Sequence, residues 1–247
     1  MPSAYWGTGQ ALSLLLPETG QEWLLLSVYF VIFFSLLIHD RKNLQHFSVR
    51  KWFALLLLIV LALVASQLLP ISLPSFFLPL APEDSVRFSV SLLSAVPTLL
   101  AGALLGPGAA LLVGMSMGLG NALSRSHQVV DLFHYAFAAW FAAYLMGLRY
   151  YGRLYRVLRN TVFSGTVSQG AIALMSGFTE FILSSDAGLL GRFDLALAAM
   201  LYSIIPLLVE GFAGGLIVAA ILRAICLDEA ATRLSLLLAN AAWNTIC

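Results

Sequence analysis

The sequence predicts an all-α integral membrane protein, a bundle of about seven transmembrane helices. Three observations carry that class. Of the 247 residues, 60% are hydrophobic and only 10% are charged, where an ordinary soluble domain carries about 25% charge. The mean hydropathy of +0.92 describes a chain with too little polar surface to cover a globule in water. The apolar residues also gather in runs close to the roughly 20 residues that a helix needs to cross a bilayer.

Taken in order, the candidate spans are residues 22–38, 52–69, 88–105, 107–123, 130–148, 161–183 and 195–222. Only Gly106-Pro107-Gly108 separates the third from the fourth. That pair reads as a tight Gly-Pro-Gly helical hairpin or as one broken element. No charged stretch precedes the first apolar run, which starts near Leu24, so it reads as a retained helix and not a cleaved signal. The expected organisation is an extracytoplasmic segment over 1–21, a seven-helix transmembrane domain over 22–222 and a cytoplasmic exit helix or linker over 223–247.

Charge placement decides between six spans and seven. The connection "HDRKNLQHFSVRK" carries Arg41, Lys42, Arg50 and Lys51, and "RYYGRLYRVLRN" carries Arg149, Arg153, Arg156 and Arg159. Arg223 and Arg233 follow the last span. With seven spans and the N-terminus outside, these ten of the thirteen basic residues face the cytoplasm, leaving Arg87, Arg125 and Arg192 outside. Short cytoplasmic loops are enriched in Lys and Arg. Fusing the third and fourth segments would put the two basic loops on opposite sides. The expected location is therefore the cell's inner (plasma) membrane, with the N-terminus outside and the C-terminus inside.

After the seventh span, "RAICLDEAATRLSLLLANAAWNTIC" mixes Ile225, Leu227, Leu234, Leu236, Leu237 and Leu238 with Asp228, Glu229 and Arg233. It has no proline or glycine. It reads as a helix leaving the membrane, either continuous with the seventh span or lying on the surface. The pattern stops at Cys247 without a C-cap signal, so a longer chain continuing into a cytoplasmic domain is expected. Aromatics at span ends, Tyr5, Trp6, Trp23, Trp52, Tyr150 and Tyr151, read as an interfacial belt.

Several function classes are excluded or disfavoured. The net charge of +1 and the absence of a basic domain give no reason to expect nucleic acid as a partner. The cysteines, Cys226 and Cys247, suggest no disulfide framework. His127, Asp131 and His134 do not have a zinc-ligand spacing, and no nucleophile-elbow sequence accompanies the serines nearby. Neither a metal, a cofactor nor an enzymatic activity is expected.

Two constellations remain. Residues 101–123, "AGALLGPGAALLVGMSMGLGNAL", hold six glycines and one proline. Gly102 and Gly106 are spaced GxxxG, as are Gly114 and Gly118, and Gly211 and Gly215 repeat the spacing in the seventh span. In lipid, small residues let helix backbones approach and gain dispersion contact. Backbone groups freed near Pro107 must then be satisfied inside the protein. The second constellation is the set of ionisable and polar residues at membrane depth, which are costly there and point to function by default. Asp131 and His134 share a helix face at i, i+3, with Asn121, Arg125, His127 and Glu180 toward the same outer leaflet. Glu210, in "IIPLLVEGFAGG", sits near the middle of the seventh span, where a carboxylate needs a partner or must take up a proton. The outer set reads either as a polar pocket with Arg125 anchoring an anionic group, or as interhelical hydrogen bonds. On the other side, Arg149, Arg153, Arg156 and Arg159, interleaved with tyrosines, suit anionic lipid headgroups.

Residues 91–123, "SLLSAVPTLLAGALLGPGAALLVGMSMGLGNAL", resemble the membrane-embedded input regions of bacterial multi-span sensors, the LytS-type receptor class. There a helix ending in a Gly-Pro-type turn leads into a glycine-rich helix. The matching positions are Gly102, Gly106, Pro107, Gly114, Gly118 and Arg125, and Ser85-Val86-Arg87 is the nearest approach to the family's Asn-Leu-Arg-type motif. The hairpin is also similar, more weakly, to the substrate-capturing membrane subunits of energy-coupling-factor vitamin transporters.

The first resemblance implies a signal-input module that couples an outer or lipid-embedded stimulus to a cytoplasmic output through the last helix. The second implies a solute-binding transport subunit, and a third reading is a structural subunit of a larger membrane complex. The partners expected are the lipid bilayer, a small-molecule ligand and either a cytoplasmic signalling domain or partner subunits. Glu210, Asp131, His134, Asn121, Arg125 and Glu180 are the residues expected to bind ligand or gate.

Overall fold

A computed structural model describes residues 19–65, 70–73, 88–126, 128–150, 152–184 and 188–246, without the side chains of 70–73, 88–89, 125 and 227–246. The fold is all-α. The helices are α1 (Gly20–Gln45), α2 (Val49–Ala65), α3 (Ala95–Leu104), α4 (Pro107–Asn121), α5 (Asp131–Gly147), α6 (Arg153–Leu158), α7 (Thr161–Leu183) and α8 (Leu189–Ile246). Between α2 and α3, strands β1 (Pro70–Leu73) and β2 (Phe88–Ser91) pair antiparallel, Pro70 opposite Ser91 and Leu73 opposite Phe88. Tyr5, Trp6, Arg87, His127, Tyr151 and the side chain of Arg125 lie outside the described residues.

Local chemistry sets the helix ends. The Thr19 hydroxyl accepts from the Glu22 N–H at 3.3 Å, and the Glu22 carboxylate adds negative charge to the first turn of α1, where the helix dipole favours it. No proline or glycine interrupts residues 39–45, so α1 runs past the expected end of the first span. Asp40 and Lys42 are therefore helical. Asn160 caps α7, its Oδ1 accepting from Val162 N at 2.9 Å. Gly106 takes φ 98° and ψ −179° between α3 and α4, a region essentially reserved for glycine. Pro107 then opens α4, where its missing N–H costs nothing. A π turn over Ala122–Ser126 continues α4.

The segment expected as the third span is divided. Residues 88–91 are strand, 92–94 turn, and only 95–104 helix. Pro97 explains the late start: a proline ring excludes a helical carbonyl four residues earlier, so it fits the first turn and not the interior. "FSVS" also alternates apolar and polar residues with the period of a strand. At about 1.5 Å per residue, α3 is about 15 Å long, half the roughly 30 Å of bilayer hydrocarbon.

Close contacts fix the direction of each helix. The start of α4 meets the end of α1, with Gly108 against Asp40 and Leu44. The end of α4 meets the start of α5, with Gly118 against the Asp131 carbonyl. The end of α3 meets the end of α5, with Gly102 against Ala143 and Met146. α7 and α8 run antiparallel: Gly215 touches Thr161 and Val162, Gly211 touches Gly165, and Gly177 touches Ala196 and Met200. Ala95 of α3 packs on Gly214. By these contacts the connections α1–α2 and α5–α7 lie at one end of the bundle, with Arg41, Lys42, Arg50, Lys51, Arg149, Arg153, Arg156 and Arg159.

One apolar core threads α2, α3, α4, α5, α7 and α8 through Leu55, Ala101, Val113, Met117, Ala138, Ile172 and Leu207. A second joins α1 to α4 and α5 through Leu25, Tyr29, Phe33, Leu111 and Phe133. Outward, α1 and α2 expose Val31, Phe34, Ile38, Phe53, Leu56, Leu57 and Val60. Among the described residues, two helices are long and apolar enough to cross a membrane: α1, and α8 over Leu189–Cys226. α8 continues without a break to Ile246, through Pro206.

Candidate functional site

Three polar cross-links among the described residues, each joining elements far apart in sequence, bear on the candidate site. A buried polar group without a partner costs roughly 1–3 kcal/mol, so each link constrains which packings the bundle can adopt.

The first joins α8 to the start of α3. Glu210 is 3% exposed. Its Oε1 accepts from the Ser91 backbone N–H at 2.7 Å and its Oε2 from the Ser94 hydroxyl at 2.8 Å. Both partners are themselves buried. A backbone N–H can only donate, so the Oε1 that meets it acts as an acceptor. Gly211, the next residue, packs on Gly165 near the start of α7. Glu210 thus lies level with the early turns of α7, and not at its middle.

The second link spans four helices. His134 of α5 is 1% exposed, and Thr179 of α7 and Tyr29 of α1 are buried with it. His134 Nε2 stands 3.1 Å from Thr179 Oγ1 and 3.4 Å from Tyr29 Oη, and the two hydroxyls are 3.1 Å apart. His134 Nδ1 is 3.3 Å from Asp131 Oδ1, off line for a hydrogen bond, and has no better partner among the described residues. Asn121 of α4 donates Nδ2–H to Asp131 Oδ2 at 3.4 Å. The rings of Phe133 and Phe137 flank Tyr29, with centroids at 6.0 and 5.8 Å.

The third link is one the sequence did not point to. Asp40 of α1, 8% exposed, accepts from Trp140 Nε1 of α5 at 2.8 Å. Its place between His39 and Arg41 reads as solvated loop. The extension of α1 puts it against α4 and α5 instead, beside Gly108.

The residues expected to act together therefore fall into two groups. Asn121, Asp131 and His134 are brought together, with Tyr29 and Thr179 as members that sequence spacing could not supply. Glu180 follows Thr179 in α7 and is part-exposed, its carbonyl accepting from Ser184 N and Oγ at 3.0 and 2.7 Å. Glu210 is not among them. From Gly165, its neighbour's contact, to Thr179 is fourteen residues of α7, about 21 Å along the axis. Gln169 lies between, 4% exposed, with no partner for Oε1 among the described residues. At the other end Arg149, Arg153, Arg156 and Arg159 are all exposed, but only Arg153 and Arg156 are on α6.

Among the described residues no three His, Cys, Asp or Glu side chains converge as they would around a metal ion. What fold and site define together is an all-α bundle with helices of membrane-spanning length and buried polar cross-links between them. No protein-family model matches the sequence, and no curated protein or solved structure matches it.

Proposed function

We propose that the chain is a seven-helix protein of the inner membrane that receives a stimulus from the outer side or from within the lipid. It passes that stimulus to a cytoplasmic partner through α8. In this reading α1, α2, the β2–α3 segment, α4, α5, α7 and α8 are the membrane-embedded passes, α3 and α4 forming a tight hairpin about Gly106. The N-terminus is outside. The grouping of both basic connections at one end of the bundle supports that orientation, since cytoplasmic loops collect Lys and Arg. The exposed apolar faces of α1 and α2 suit lipid.

One observation carries the signalling role: α8 is a single helix of 58 residues. At 1.5 Å per residue it is about 87 Å long, against roughly 30 Å of hydrocarbon. Its inner part packs on α3 and α7 through Glu210, Gly211, Gly214 and Gly215. A change in those contacts would reach the cytoplasmic end along one rigid element. A stimulus can drive it only by favouring one packing over another.

The native Cys226, exposed on α8, allows the test. A spin label there, with Cys247→Ser to keep the site unique, reports α8 in nanodiscs of short-chain or long-chain phosphatidylcholine. The same label is read across external pH from about 8 to about 5. A label signal that moves with one of these conditions, and moves differently in Glu210→Gln, is the expected result. An unchanged signal in every condition, with protein-dependent solute uptake into vesicles, would replace this reading with a transport subunit.

A further inference from the structure

The buried group around His134 has a hydrogen count that assigns it a ligand, the proton. His134 Nδ1 faces Asp131 Oδ1 at 3.3 Å. A lone pair on Nδ1 would repel an ionised carboxylate at that distance, so the neutral ring carries its hydrogen on Nδ1. Nε2 is then an acceptor. Two hydroxyls surround it, Thr179 Oγ1 at 3.1 Å and Tyr29 Oη at 3.4 Å. The pairs close a consistent chain in which Tyr29 donates to Thr179, Thr179 to Nε2, and Nδ1–H faces Asp131, which Asn121 supports from α4.

A proton taken up by the ring itself changes that chain. The imidazolium, its Nδ1–H beside the Asp131 carboxylate, carries a hydrogen on Nε2 as well. That atom turns from acceptor to donor, and three donor hydrogens then meet only two oxygen acceptors. One hydroxyl must turn out of the triangle, either Thr179 toward its own helix or Tyr29 away from α5 and α7. Asp131 is the more exposed member, its side chain 12% exposed against 1% for His134.

We propose that Asp131 and His134 form a one-proton binding site whose occupancy re-pairs Tyr29 and Thr179, and so alters how α1 docks on α5 and α7. The groups facing His134 are Asp131 from its own helix and Tyr29 from α1. α7 presents Thr179, which does not titrate, with Glu180 next in the chain, and α4 presents the neutral Asn121. The site stands whether or not α8 carries a signal.

Nuclear magnetic resonance of the full-length protein in lipid nanodiscs tests it, with nitrogen-15 in the histidine rings and carbon-13 at the tyrosine ring carbon bearing the hydroxyl. His134 is assigned as the signal missing from His134→Gln. Should that variant not fold, it is the ring signal perturbed by Tyr29→Phe. At alkaline pH His134 shows a hydrogen on Nδ1 and none on Nε2. On acidification it gains the Nε2 hydrogen in a single step, and the Tyr29 carbon signal moves over the same pH interval. The Tyr29 movement is lost in His134→Gln, while the ring titration persists in Tyr29→Phe. An Nε2–H ring at alkaline pH, a His134 that gains no hydrogen down to about pH 4, or a Tyr29 signal indifferent to the step would overturn the proposal.

Discussion

Trp140 donates its indole N–H to Asp40 Oδ2 at 2.8 Å, tying the last turns of α1 to the middle of α5. Removing the acceptor leaves a part-buried N–H without this partner, a loss of roughly 1–3 kcal/mol. Asp40→Leu should therefore lower the unfolding free energy in detergent by about 2 kcal/mol. Asp40→Asn keeps a carbonyl oxygen in place and should cost less than half as much. Trp140→Phe should cost at least as much as Asp40→Leu, because it strands a carboxylate and not a neutral donor. Denaturant titrations of the three variants check the order.

Glu210 receives donors on both oxygens, which makes its two substitutions unequal. Glutamine can accept on one side only and presents an N–H₂ to the other donor. Glu210→Ala withdraws both acceptors. Hydrogen bonds to a charged group contribute about 1.5–3 kcal/mol, so Glu210→Ala should destabilise by about 3 kcal/mol and Glu210→Gln by about half that. Ser94→Ala alone should cost about 1 kcal/mol. Because Ser94 and Glu210 touch, the double variant should cost less than the sum, with a coupling of about 1 kcal/mol. A sum within a few tenths of additive would show that the contact carries no energy.

The all-α class was legible because composition and span-length runs act over many residues at once. Asp131 and His134 were legible as a pair because i, i+3 spacing on a helix places them on one face. Tyr29 and Thr179 were not, since their contacts with His134 reach across 105 and 45 positions. The division of residues 88–105 was hidden by averaging: Val90, Leu92, Leu93 and Val96 keep the segment apolar whether it is strand or helix. Pro97 was the local signal, a residue that belongs in a first turn. Asp40 reads as loop because charge marks the end of an apolar run, whereas a helix ends only where caps or breakers end it.

Glycines in this chain serve two separable purposes, and alanine substitutions distinguish them. A Cβ on Gly211 would lie 2.5 Å from the Gly165 carbonyl oxygen, and one on Gly114 2.5 Å from that of Tyr135. Backbone cannot turn aside, so Gly211→Ala and Gly114→Ala should each cost about 1–3 kcal/mol. Gly106 has open space around it but φ +98°, so Gly106→Ala should cost about 1–3 kcal/mol through strain alone. Gly147 has nothing within 4 Å, and Gly147→Ala should stay within about 0.5 kcal/mol of wild type. Thermal unfolding in one detergent ranks all four. A Gly147→Ala as damaging as Gly211→Ala would mean that helix packing is not what the other glycines provide.

Arg153 and Arg156 project from a six-residue helix whose Leu154 and Val157 are also exposed, at 67% and 49%. Tyr150 and Tyr155 pack ring to ring at 5.2 Å and hold the preceding connection against it. Exposed arginines beside exposed aliphatic side chains match a headgroup layer, where each basic residue near an anionic surface contributes about 1 kcal/mol. Replacing Arg153 and Arg156 by glutamine should therefore reduce the binding of labelled phosphatidylglycerol to the purified protein by about 2 kcal/mol in all, or roughly thirtyfold. The deficit should shrink as salt rises, since charges in solvent are screened over about 10 Å at 0.1 M ionic strength. Phosphatidylcholine, which carries no net charge, should bind both proteins alike. Equal loss for the two lipids would locate the effect in the fold of α6, and no loss for either would remove the arginines as a lipid contact.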